Sequence, residues 1–527
     1  LKWFEDYYGI KYPGQKVDLV ALPDFAAGAM ENLGLITYRE VLLLVDPAKA
    51  TQTEQQLVAD VVSHENAHMW FGDLVTMKWW NGIWLNEAFA TFMEVAACDA
   101  FAPQWKRWTA FGLDRSAAFD VDSLHSTRPV EFPVNSPEDC EGMFDVLTYE
   151  KGGSLLRMLE MFLGADRFRA GVSHYLKKHS YANTETSDLW DAIEETVNSD
   201  GRGNVPVRAL MDSWIWQPGY PLVSADIEGS ALVLRQNRFA FDENTDPTVW
   251  LVPVHLRNGN SETKVLLDQP AVRVTLADPN APVVVNAGGH GFYRVSYSPT
   301  LRNLLDARTI AAMSTIERYN LVDDAWNAVV ANRLTAPQFL DFLTGFSGER
   351  ELAVWQAIAI GLRGCERLLP GHQQHLLQRR IAQLASPALA EIGWQPAPNE
   401  DDLRSKLRGL LIVLLACDAG DPDAQQTART FFAAAEAGQD VHPEVVAAAT
   451  TVVASTGGEA EFNMFIEKFK TADSPQEQIR ALYALGDFQS ADLIERACAF
   501  AFSSDVKTQN APFLLGRCVS NREFGPV

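Results

Sequence analysis

Two histidines four residues apart, in His64-Glu65-Asn66-Ala67-His68, narrow what this chain can become more than any other feature. On a helix both imidazoles project from one face, about one turn apart. The preceding residues support a helix. Thr51 and Glu54 have capping-box spacing, and Leu57, Val58, Val61 and Val62 form an apolar stripe. Glu65 stands beside the imidazole pair rather than opposite it. A second helix is expected to begin near Leu85, with Glu87 in its first turn. Two neutral imidazoles and one carboxylate make a three-ligand zinc set whose fourth position is open to water, which separates a catalytic site from a structural one. One Zn2+ per chain is therefore expected on His64, His68 and Glu87. The bland alternative is a helix with two partly buried, hydrogen-bonded histidines.

Further blocks flank this stretch: Trp70-Phe71-Gly72-Asp73-Leu74-Val75-Thr76, Trp84-Leu85-Asn86-Glu87, Gly28-Ala29-Met30-Glu31-Asn32 and Tyr149-Glu150-Lys151-Gly152. Together with the histidine motif they resemble the M1 (gluzincin) family of zinc aminopeptidases. The resemblance implies a thermolysin-like catalytic domain that hydrolyses the N-terminal residue of peptides. It also implies that the Tyr149 hydroxyl donates to the oxyanion of the tetrahedral intermediate, and that Ala27 lines the pocket for the first side chain. Chemistry alone supports part of this. An extended edge segment at Gly28, Ala29, Met30 and Asn32 can pair with a substrate backbone by strand addition. Glu31 then sets a carboxylate against the substrate ammonium and fixes where the first peptide bond falls. Glu65 is the expected general base. Glu94 and Thr91 are both candidates to orient a zinc histidine, with no choice between them, and Asp145 to orient Tyr149.

A length of 527 residues calls for two to four domains. The net charge of −24 argues against nucleic acid, which needs clustered Lys and Arg. It suits cationic ligands such as a peptide ammonium, or simply solubility. The six cysteines are scattered without a C-x-x-C pair, which points to a reducing, cytoplasmic setting. No apolar run reaches the ~20 residues of a membrane-spanning helix. The expected partners are peptides with a free N-terminus, and the expected state is a monomer.

The expected architecture is multidomain α+β. Residues 1–219 form the thermolysin-like domain, 220–299 a small β-sandwich, and 300–527 an incomplete α-helical, HEAT-like solenoid. Within the first, Leu1–Gly14 reads as a helix ended by Pro13-Gly14, and Val17–Leu22 and Glu40–Val45 as strands. Phe144–Glu160 reads as a loop entering a helix with Leu155, Leu156 and Leu159 inward. His174 and His179 look structural. Over Leu222–Tyr297 the period changes to two, with His255 and His290 not expected as ligands. From Thr300 onward, Ala-rich amphipathic segments recur. By the resemblance, the chain begins after a β-domain that completes the ammonium site and stops mid-segment at Arg522–Val527, so it looks cut at both ends. Asn66 departs from the apolar residue usual within the motif. An epoxide hydrolase is disfavoured because Glu141 and Phe144 stand where that chemistry needs Asp and Tyr. An endopeptidase would not need Glu31, and a scaffold with an inert metal would be free to lose Glu65 or Tyr149.

Overall fold

The computed structural model describes residues 1–242, 246–521 and 523–525, so Arg522, Pro526 and Val527 lie outside the described residues. The chain forms two compact units, Leu1–Val17 with Ser63–Phe346, and Asp18–Val62 with Ser347–Val527.

In the first unit the opening helix is shorter than expected, Lys2–Tyr8. Gly9 adopts φ 64° and returns its N–H to Glu5, a left-handed stop that acts before Pro13-Gly14 is reached. The centre of this unit is the helix Trp84–Phe101, whose buried residues run unbroken from Trp84 to Met93. Phe89 on it stacks on Phe71 at 4.0 Å and 7°, and Trp84 stacks on Trp190. The helix Gly152–Leu163 packs against it, with Leu155, Leu156 and Leu159 fully buried as their spacing predicts. Glycine makes this approach possible. A methyl at Gly152 would lie 2.5 Å from Ala88 Cβ, and one at Gly153 would lie 3.2 Å from Thr91 Cγ2.

The helix Val207–Ile215 ends this α-rich part, and strands begin at Pro221. One sheet holds four strands in the order Ala271–Thr275, Ala231–Arg238, Pro221–Glu228, Arg294–Tyr297, antiparallel except for the last pair. Val283–Val285, Val252–Asn258 and Ser261–Leu267 form an antiparallel three-stranded sheet. The helices from Pro299–Asn303 to Ala336–Phe342 complete the unit.

The second unit contains a three-stranded sheet in which Asp18–Leu22 pairs parallel with Leu35–Arg39, and Ala29–Met30 adds antiparallel at the edge. The strand expected over Glu40–Val45 does not form. Glu40–Leu42 is a 3-10 turn, and Gln476 Nε2 takes the carbonyls of Val41 (3.2 Å) and Leu44 (2.6 Å) away from any ladder. This capture by a distant side chain overrides local β preference. The remainder is helical. Pro422–Glu436 packs on Pro443–Ser455, Glu459–Thr471 on Pro475–Ala484, and Ala491–Ala501 on Ala511–Ser520.

A buried ion pair ties the first unit together. Lys151 Nζ lies 2.8 Å from Asp122 Oδ2, and both side chains are 0% exposed. Asp122 also accepts from Gly219 N–H (2.8 Å) and the Thr127 hydroxyl (2.7 Å). Lys151 also donates to the Gly219 carbonyl. Asp122→Leu strands an unpaired ammonium and should destabilise this unit by roughly 3–5 kcal/mol. The double variant Asp122→Leu/Lys151→Met should recover part of that loss. The position of the unit's urea unfolding transition measures both.

Candidate metal centre and active site

The histidine helix, Gln52–Ala67, starts with the predicted box. Thr51 N–H donates to Glu54 Oε2 at 2.7 Å, and Glu54 N–H donates to Thr51 Oγ1 at 3.3 Å. His64 sits in its last turn. His68 lies one residue beyond the helix, yet its N–H still bonds the His64 carbonyl at 3.3 Å. The chain then turns through Gly72 at φ 133°, where a Cβ would lie 3.3 Å from the His68 carbonyl oxygen and 3.4 Å from Asn86 Nδ2. That turn brings the Phe71 carbonyl within 2.9 Å of His68 Nδ1. A carbonyl oxygen only accepts, so Nδ1 carries a proton, and in the neutral ring that binds a metal Nε2 keeps its lone pair. His64 is set the same way by Glu94, whose Oε2 lies 2.7 Å from His64 Nδ1.

Both Nε2 atoms face Glu87. Its Oε2 lies 3.3 Å from His64 Nε2 and 3.4 Å from His68 Nε2. The ligand atoms of the three residues lie within 4.8 Å of one another, the one such group among the described residues. Tetrahedral zinc with bonds of about 2.0–2.1 Å holds its ligand atoms roughly 3.3–3.4 Å apart, so the donor set fits that ion. The electrostatics agree. Burial lowers the His64 pKa, but Glu87 and Glu94 outweigh it and push it well above the usual value. Burial raises the Glu87 pKa, and His68 and His64 together hold it below the carboxylate range. The three converging ligand atoms favour positive charge between them, as a proton or a metal ion. Glu65, the next residue after His64, is buried.

The turn Leu147–Lys151 places Tyr149 beside this group, its ring 6.0 Å from that of His64 and tilted 27° from it. Asp145 shapes the turn through the backbone, accepting from Leu147 N–H (2.9 Å) and Thr148 N–H (3.3 Å). Arg128 holds the same carboxylate at 2.5 Å. Of the two orienting candidates, Thr91 donates its hydroxyl to the Glu87 carbonyl in its own helix at 2.8 Å, which leaves Glu94 as the one at the imidazole.

Residues 1–214 match the Peptidase family M1 domain, and residues 282–525 match the ERAP1-like C-terminal domain. Over 97% of its length the chain is 33% identical to Aminopeptidase M1 of Arabidopsis thaliana. It is 34% identical over 97% of its length to Aminopeptidase 2 of Candida albicans, and 32% over 98% to the Puromycin-sensitive aminopeptidase of Caenorhabditis elegans. It covers 60%, 56% and 56% of those three relatives. The chain belongs to the M1 peptidase family. It spans about three-fifths of the length of the curated relatives it matches. M1 peptidases are a zinc-dependent family, in keeping with the donor set of His64, His68 and Glu87.

The remaining M1 motif, Gly28 to Asn32, belongs to the second unit. Ala29 and Met30 form the edge strand of its sheet, paired with Tyr38 and Thr37. Ala27, Gly28, Met30 and Asn32 are exposed, and Ala29 and Glu31 half-buried. Arg39 Nε binds the carbonyls of Phe25 (2.9 Å) and Ala27 (2.7 Å), and its Nη2 binds that of Ala26. Sequence reasoning did not single out this arginine. Glu131 was also missed. Its carboxylate gathers Trp84 Nε1 (3.0 Å), Asn81 Nδ2 and the Thr186 hydroxyl at the start of the Glu87 helix. His174 pairs with Glu195 at 3.2 Å, and His255 and His290 lie outside the metal group. Among the described residues no helix is long and apolar enough to cross a membrane.

Glu94→Gln should weaken zinc binding roughly 10–100-fold, measured by competition with a chelator of known affinity. Thr91→Val should leave that affinity nearly unchanged.

Proposed function

We propose that this chain is a zinc-dependent aminopeptidase that removes the N-terminal residue from peptides. The observation that carries this reading is the convergence of His64 Nε2, His68 Nε2 and Glu87 Oε2, with the Tyr149 ring against His64. His64, His68 and Glu87 would hold one Zn2+. When bound, the ion supplies Lewis acidity, lowering the pKa of water toward about 7 and polarising a carbonyl. Glu65 takes the proton of the attacking water and passes it to the leaving amine. Tyr149 donates its hydroxyl to the oxygen that becomes negative as the carbonyl carbon turns tetrahedral. Glu94 and the Phe71 carbonyl hold both imidazoles in the tautomer that presents Nε2.

The edge strand Ala29–Met30 supports backbone pairing with an extended peptide, and Glu31 anchors its ammonium. Ala27 borders the first side chain. The relatives' names, all aminopeptidases, favour this over internal cleavage. The same reading divides the chain into a thermolysin-like domain over 1–219, a β-sandwich over 220–299 and a HEAT-like helical domain over 300–527. All six cysteines are free thiols, which supports a reducing cytoplasmic setting.

Turnover of an aminoacyl chromogenic substrate tests the assignment. Glu65→Gln should lower kcat by roughly 10²–10⁴ and Tyr149→Phe by roughly 10²–10³, and a chelator should abolish turnover until zinc is restored. Equal turnover by Glu65→Gln would remove the general base. N-acetylation should abolish hydrolysis, and undiminished cleavage of the blocked substrate would replace the aminopeptidase reading with an endopeptidase.

A further inference from the structure

We infer that the first unit carries a second binding site, which takes a small amphipathic acid: one carboxylate on an apolar body. The site is a cavity of about 340 Å³ that shares no residue with the metal centre. That volume lies within the range of small-molecule sites, which are mostly apolar with a few placed polar groups. It is lined from the strands Pro221–Glu228 and Arg294–Tyr297 and from the helix Thr315–Val330. Leu222, Leu305, Leu321 and Phe342 provide apolar wall, and the charged lining residues are Arg294, Arg302, Arg333 and Asp324.

The charges choose the ligand. Asp324 is already engaged on both oxygens, by Arg294 Nη1 at 3.2 Å and by Val295 N–H at 3.0 Å. Arg294, 1% exposed, gives Nη1 to Asp323 (2.6 Å) and Nε to the Tyr220 hydroxyl (3.1 Å), while its buried Nη2 has no partner and adds a donor to the cavity wall. Arg302 and Arg333 differ. Among the described residues neither pairs with an acid, although the chain has 68 acidic residues against 44 basic ones. Arg333 has only a long contact to the Ala240 carbonyl (3.5 Å) and lies over the Phe239 ring at 5.0 Å. Two exposed guanidinium groups without acid partners, beside an apolar cavity, present a fork of donors to one carboxylate. A cation there would meet both arginines and a carboxylate already hydrogen-bonded on each oxygen.

Calorimetric titration of the zinc-loaded full chain with phenylbutyrate tests the site, with phenylbutanol and phenylbutylamine as matched neutral and cationic probes. The acid should bind saturably, and the alcohol and amine at least about tenfold more weakly, a difference of about 1.4 kcal/mol. Arg302→Gln with Arg333→Gln should weaken the acid by a similar factor. Both side chains are exposed, so this variant tests charge without disturbing the core. Ala328→Phe, which fills the cavity, should abolish binding, and chelation of the zinc should leave it intact. No saturable binding, equal affinity in the double arginine variant, or preference for the amine would overturn the site. Loss of binding on chelation would do so too, since the acid would then sit at the metal centre.

Discussion

Two imidazole nitrogens and a carboxylate oxygen converge on one point inside the first unit, and that convergence organises its centre. Each Nε2 is committed as an acceptor because its ring partner, Nδ1, donates: to the Phe71 carbonyl for His68 and to Glu94 for His64. Glu87 Oε2 stands 3.3 and 3.4 Å from the two Nε2 atoms. Without an ion, protonation relieves the cluster, which is why Glu87 and Glu94 hold the His64 pKa well above its usual value. A divalent cation satisfies all three at once.

Holding that geometry falls to groups away from the ligands. Gly72 turns the chain so that the Phe71 carbonyl reaches His68. Glu131 fastens the start of the Glu87 helix by gathering Asn81, Trp84 and Thr186. Gly152, seated on Ala88, lets the helix that follows Tyr149 approach within a distance no side chain would allow. Lys151, paired with Asp122 where neither sees solvent, pins the same turn from its other end. Each acts on the backbone, so the ligands inherit their placement from rigid elements rather than from their own flexible side chains.

This division explains what could be read from residues alone. The ligand triad was legible because its chemistry is local: a four-residue spacing, a cap from Thr51 to Glu54 and an acid in the first turn of the next helix. Leu155, Leu156 and Leu159 were legible for the same reason, one face of one helix. Glu131 and Arg128 were not, since a charged residue in a Pro-rich loop carries no period. Their partners lie up to 55 residues away in Glu131's case. Glu40–Val45 misled because its β-forming residues are held by Gln476, more than 430 residues on. The choice between Thr91 and Glu94 turned on reach. Only the longer side chain, two turns from Glu87, extends to the imidazole, while the shorter one closes on its own helix.

The unequal partners of the two histidines carry a further consequence. A carbonyl fixes the tautomer of His68 without adding net charge, whereas Glu94 adds a full negative charge behind His64 and makes its Nε2 the stronger donor to a metal. With Glu87 and buried Glu65, the centre then gathers three carboxylates around two rings. Without a metal ion, that surplus in a poorly solvated site must be offset by protons on the rings. A divalent ion cancels most of it. Metal affinity and the stability of this part of the fold are therefore one coupled quantity, and a change at Glu94 that relieves the charge gives up part of the force that retains the ion.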